Sequence, residues 1–144
     1  DVATFTGGEV GQPVQLQGQP VLILDASADQ PGFDLCVALS RIPRGSSQVQ
    51  QLSTGVLRVT GEPALLCSQR RIPLQPLLAT LYPGDRLRLS IAGAAWPAVG
   101  VNPGTPEVAS GPPGSRHRVV TMTLELAGSH LSLIPFGSGR VITD

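Results

Sequence analysis

The chain has 144 residues, ten arginines and no lysine against ten acidic residues, so its formal net charge is zero. That balance leaves no electrostatic footprint for nucleic acid or an anionic membrane, and no run approaches the ~20 apolar residues that span a bilayer. Fourteen prolines and 17 glycines interrupt it too often for long helices, while Val, Leu, Ile and Thr fill the intervals, a pattern of many short strands in one all-β domain.

In chain order, extended segments are predicted at Ala3 to Phe5, Val14 to Leu16 and Val21 to Ala26, followed by a turn at Asp29-Gln-Pro-Gly32. A strand runs from Asp34 to Arg41, a loop from Pro43 to Ser47, and a short strand from Gly55 to Thr60. Ile72 to Leu81 is extended but carries Pro73 and Pro76, which places it at an edge or between strands. Pro83-Gly84 sets a β-turn, since proline fixes φ and glycine tolerates positive φ.

Arg86 to Ala92 is the clearest strand: Leu87, Leu89 and Ile91 alternate with Arg86, Arg88 and Ser90, the arginines forming its solvated face. Gly93 to Ser115 is a long irregular stretch, the first place to look for a contact surface. Arg118 to Leu126 and Leu131 to Pro135, joined at Gly128-Ser129, read as a terminal hairpin, with Gly137 to Asp144 a frayed tail. About eight or more antiparallel strands with two long crossings describe a jelly-roll-like β-sandwich, residues 1–144 forming a single domain of the galactose-binding-domain type.

The chemistry of catalysis is sparse. No Gly-x-Ser-x-Gly occurs, and Gly45-Ser-Ser47 and Gly137-Ser-Gly139 sit in turn-like settings. His117 and His130 fall at strand ends, and no spacing ties them to Asp25, Asp29, Asp34 or Asp85 as a triad requires, so no catalytic residue is assigned. Cys36 and Cys67 lie in apolar segments and read as buried, reduced, structural thiols. Two Cys and two His far apart make no metal site, and no cofactor is expected.

Several segments carry a family resemblance. Tyr82-Pro-Gly-Asp-Arg-Leu-Arg-Leu-Ser-Ile-Ala-Gly-Ala-Ala-Trp-Pro97 with Asn102-Pro-Gly-Thr105, Phe33-Asp34-Leu35 with Val37 to Ser40, and Leu52-Ser-Thr-Gly-Val-Leu-Arg58 occur in one order along the chain. Together they resemble the C-terminal β-sandwich domain of the X-prolyl dipeptidyl-peptidase and cocaine-esterase-like serine hydrolases. Asp85 stands where that family usually has a turn histidine, and Arg41-Ile-Pro-Arg-Gly45 replaces an acidic turn.

The resemblance implies a noncatalytic domain whose partner is the α/β-hydrolase domain of its own enzyme, which hydrolyses ester or peptide bonds through an acyl-serine. Starting at Asp1 without methionine fits an excised or processed domain. Trp96 has two readings. In the first, the indole plugs one end of the sandwich; in the second, Trp96, Pro97 and Asn102 press on the hydrolase domain and border its cleft. Tyr82 reads as a sandwich-end residue with the same two roles. Cut free, such a domain exposes an apolar face through which it can self-associate. The rival is a stand-alone carbohydrate- or protein-binding module, against which one Trp, one Tyr and three Phe weigh as a scant aromatic platform.

Overall fold

The computed structural model describes residues 1–107 and 114–134. The expected tail and Gly137-Ser-Gly139 lie outside the described residues, as do positions 108–113 of the long loop.

Among the described residues eight strands form: β1 (Val2–Thr6), β2 (Val14–Ala28), β3 (Gly32–Ile42), β4 (Gln50–Thr60), β5 (Ser68–Pro73), β6 (Leu77–Leu81), β7 (Arg86–Ala92) and β8 (Met122–Ile134), with one 3-10 turn at Glu62–Ala64. One sheet has the order β1-β7-β3-β4; in the other, β2 pairs with β5, β6 and β8. Every pairing is antiparallel. The chain changes sheet from β1 to β2, β2 to β3, β4 to β5, β6 to β7 and β7 to β8, the crossing pattern of a β-sandwich rather than a meander.

Period-2 alternation builds the core. Leu16, Leu22, Leu24, Ala26 and Ala28 of β2 face Phe33, Leu35, Val37 and Leu39 of β3, closed by Ile72, Leu74, Leu77, Leu81 and Ile91. Arg70 spans one side, its guanidinium 5.8 Å from the Phe33 ring and its Nη2 donating to the carbonyls of Pro63 and Leu66 beside the 3-10 turn.

Two expectations are corrected. Val14 to Leu16 and Val21 to Ala26 are one 15-residue strand. The break suggested by Gly18 and Pro20 is a change of neighbour: Gly18 lies opposite Leu77 of β6, Val21 opposite Pro73 of β5, and between them Leu74 N–H donates to the Pro20 carbonyl. Likewise, Arg118 to Leu126 and Leu131 onward form no hairpin. Residues 118–121 are irregular, and β8 runs along β2 with a bulge, Ile23 opposite His130 but Asp25 opposite Glu125. Gly128, at φ +82°, allows the bulge, and Ser129 Oγ stitches it by donating to Glu125 O at 2.6 Å and accepting from Asp25 N.

Candidate functional site

Strand β7 carries the two ends of the candidate site. It begins beside the Tyr82–Asp85 turn and ends at Ala92, four residues before Trp96. At ~3.4 Å per residue its seven residues span roughly 20 Å, with Tyr82 in the turn before it and Trp96 in the loop after it.

At the Trp96 end the loop folds over the outer face of β3. Asp34, only 2% exposed, takes a two-pronged contact from Arg58, Nε to Oδ1 at 2.8 Å and Nη2 to Oδ2 at 2.7 Å. Both partners then reach the loop: Arg58 Nη2 donates to the Gly100 carbonyl at 2.6 Å, and Asn102 Nδ2 donates to Asp34 Oδ1 at 2.9 Å. The Asn102 Oδ1 accepts from Gly104 N–H at 3.0 Å. Gly32 has to be glycine-sized here, since a Cβ would sit 2.9 Å from Asn102 Oδ1 and 3.3 Å from the Gly104 carbonyl carbon. A carboxylate in an apolar strand is tolerable only when paired and hydrogen-bonded; Asp34 is both, and the pairing spends itself on shaping the loop. Hydrogen bonding to Asp34 raises the Arg58 pKa further above its ordinary value.

That loop presents Trp96 to solvent at 73% exposure, joined to Pro97 by a cis peptide bond. The plug reading of Trp96 is therefore overturned: the indole stands outside the sandwich. Asn102 itself is committed on both ends of its amide to the inside of the domain.

At the other end Asp85, also 2% exposed, accepts from two backbone N–H groups, Tyr82 at 2.8 Å and Arg44 at 3.0 Å. Arg41 Nε lies 2.7 Å from Asp85 Oδ2 as an ion pair, without the alignment of a hydrogen bond. The Tyr82 N–H bond first, then the Arg44 N–H and the Arg41 charge, hold the Asp85 pKa below the usual carboxylate range against the opposing effect of burial. Tyr82 is 54% exposed, its ring 5.3 Å under the Arg41 guanidinium.

No catalytic constellation forms among the described residues. His130 Nδ1 lies 3.2 Å from the Gly128 carbonyl, and no hydroxyl or carboxylate is hydrogen-bonded to either histidine there. No group of three or more His, Cys, Asp or Glu side chains suited to a metal occurs among them either, and no helix there is long and apolar enough to cross a membrane. Both cysteines are free. Cys36 is buried, and its thiol pKa is raised by desolvation and then by Asp34. Cys67 is exposed, a correction to the expected pair of buried thiols: it follows the 3-10 turn with Leu65 and Leu66, which are also exposed, instead of lying in a strand.

Residues 1–130 match the X-Pro dipeptidyl-peptidase C-terminal non-catalytic domain. The chain belongs to that family. In structure it is similar to an alpha-amino acid ester hydrolase (TM-score 0.81, 19% identity, 92% of this chain and 25% of that one). It is also similar to an aminopeptidase from the marine sediment archaeon Thaumarchaeota archaeon (TM-score 0.75, 23% identity, 87% and 23%), and to a CocE/NonD family hydrolase from Staphylococcus aureus (TM-score 0.59, 16% identity, 76% and 25%). At these identities the likeness is one of fold, and the chain spans about a quarter of each of those proteins. No curated protein is similar enough to count as a match.

The three family-like segments meet in space: Asp34, Arg58 and Asn102, one from each, form a single buried network. The signal was available, since Asp34 interrupts a strand that is otherwise apolar from Phe33 to Leu39 and so had to have a partner.

Proposed function

We propose that this chain serves as the accessory C-terminal domain of a serine hydrolase, packed beside an α/β-hydrolase domain that carries the nucleophile and cleaves ester or X-prolyl peptide bonds through an acyl-serine. In this reading Trp96 and Pro97 are the contacts with the hydrolase domain and border its cleft. Asn102 contributes by holding their loop, and Tyr82, at the far end, belongs to a separate part of the surface. The observation that carries the reading is Trp96, the one tryptophan of the chain, kept 73% exposed on a loop tied down by a buried ion pair. A lone exposed indole on an ordered loop suits a surface that another domain covers.

The reading frame around the codons for these residues supplies the test. It should encode an α/β-hydrolase domain with a Gly-x-Ser-x-Gly elbow ahead of Asp1. The whole polypeptide should hydrolyse an aryl ester or an X-prolyl peptide and lose that activity when the elbow serine becomes alanine, while the 144-residue chain alone shows none. A frame lacking such a domain rules the reading out. The isolated chain should also self-associate with rising concentration in sedimentation velocity, because its contact surface is uncovered.

A further inference from the structure

We infer that the open flank of the sandwich, between β1 and β8, is a binding site for an uncharged small molecule with a hydrocarbon body, seated in a hollow of about 530 Å³. The inference goes beyond the proposed function and does not depend on it, since it uses only residues of this chain.

The two flanks of the sandwich are built differently. Val21 to Ala26 of β2 pair with β5 along one edge and with β8 along the other, so β5 and β8 lie on opposite flanks. In the second sheet β4 and β1 are the outermost strands. Where β4 nears β5 the sheets are laced together. Gln75 N–H donates to the Thr54 carbonyl at 2.9 Å, Ser53 Oγ donates to the Gln75 carbonyl at 2.6 Å, and a Cβ on Gly55 would lie 2.6 Å from the Pro73 carbonyl oxygen. On the opposite flank no hydrogen bond joins β1 to β8 among the described residues, and the hollow opens there.

The hollow reaches between the sheets. Leu22, Leu24, Leu39 and Ile91, all core residues, line its depth. Phe5 and Leu89 from one sheet, with Leu126 and Leu131 from the other, line its sides. Its polar residues stand at outward positions: Thr6 lies opposite Arg88, whose Nε donates to its hydroxyl, and His130 lies opposite Ile23, in a row with the exposed Arg71. Ser129 Oγ is already engaged at the bulge. No Asp, Glu, Lys or Arg lines the hollow. At the mouth β1 runs into Gly7-Gly8, and a Cβ on Gly8 would meet nothing within 4 Å.

That lining selects the ligand. Water in the hollow finds few hydrogen-bond partners, so its exchange for hydrocarbon is favourable. A charged group would be desolvated there with no counterion. A polypeptide backbone in the recess would leave its own N–H and C=O groups unpaired, because β2, β3 and β7 are each bonded to strands on both sides. A concave, largely apolar cavity of this size has the character of a small-molecule site.

Nile red, an uncharged dye that brightens in apolar surroundings, is the probe. Titrated into the 144-residue chain at a concentration where the chain is monomeric, it should bind saturably at one dye per chain. Gly8→Phe crowds the mouth and Leu126→Glu puts a charge in the lining; both positions are exposed and Gly8 has no left-handed φ, so the sandwich stays folded. Each should weaken dye affinity about tenfold or more. Leu78→Glu, at an exposed position of β6 outside the hollow, should leave it unchanged. Absence of saturable binding, or binding that survives both variants, overturns the inference. In the intact polypeptide the variant-sensitive binding should persist. Its loss there would mean that a side chain of another domain fills the hollow, which overturns the small-molecule site while leaving the hydrolase partnership standing.

Discussion

Two aspartates, equally buried, mark the two ends of the same sheet and do different work. Asp34 binds side chains, Arg58 and Asn102, and through them fixes a loop whose tip is an exposed tryptophan. Asp85 binds backbone N–H groups of Tyr82 and Arg44, tying the turn before β7 to the loop after β3. Val10 joins the same turn, its N–H donating to the Asp85 carbonyl and its own carbonyl accepting from Gly84. Backbone bonding makes the Asp85 end a structural clasp. Side-chain bonding makes the Asp34 end a support whose shape depends on three residues distant in sequence.

The sharpest way to break the contrast is Asp34→Ala. It removes the carboxylate paired with the Arg58 guanidinium, whose side chain is three-quarters shielded, and the acceptor for Asn102. The loss should approach about 3 kcal/mol, the low end for breaking a buried pair because Arg58 keeps some solvent, and urea unfolding would read it. The accompanying signature is local. As the only tryptophan, Trp96 should show lower fluorescence anisotropy in Asp34→Ala and unchanged anisotropy in Asp85→Ala, since only the first loosens its loop.

Two glycines sharpen the comparison next. Gly104 (φ +76°) and Gly84 (φ +88°) both occupy the left-handed region, where alanine costs about 1–2 kcal/mol. Their neighbours differ. A Cβ on Gly104 would meet Val120 Cγ2 at 2.9 Å, a short stiff side chain, whereas on Gly84 it would meet the flexible Arg44 chain. Gly104→Ala should therefore lower the thermal midpoint more than Gly84→Ala, and only Gly104→Ala should change the Trp96 emission.

Local patterning made much of this legible. Strand β7 occupies Arg86–Ala92 as alternation predicts, and the Pro83-Gly84 turn precedes it. The misses share one cause, a dependence on what lies across the sheet. Pro20 ends no strand because its neighbouring partner changes there; Gly128 starts no hairpin because β2 is long enough to accept both halves of β8. The exposure of Trp96 depends on how its loop is held, and the groups that hold it come from β3 and β4, far away in sequence. Average burial of tryptophan carries no such information. Asp34, Arg58 and Asn102 each stood in a segment that drew attention, yet nothing in their spacing linked them.

The acid limb of stability separates the two aspartates again, with a smaller effect. The folded-state pKa of Asp85 is depressed, so its contribution is fully present above the ordinary carboxylate value of 3.8 and is lost as pH falls through the lower folded-state value. In Asp85→Asn, stability should fall less steeply below pH 3.8 than in the parent chain, with the two curves parallel at neutral pH. Urea midpoints taken at successive pH values would show it, and equal acid slopes would remove Asp85 from the account.

The smallest effect on stability should come from the residue with the largest proposed role. Trp96 is 73% exposed and its side chain supports none of the hydrogen bonds that fix its loop. Trp96→Ala in the isolated chain should therefore shift stability by no more than about 0.5 kcal/mol, the usual range for an exposed position. In the intact polypeptide the same substitution removes an anchor from an interface, and truncating an interfacial tryptophan commonly costs about 2 kcal/mol or more. A thermal melt of both forms measures the difference directly. A large loss in the isolated chain would return Trp96 to the role of a packing residue, and a negligible loss in both would place the contact elsewhere on the sandwich.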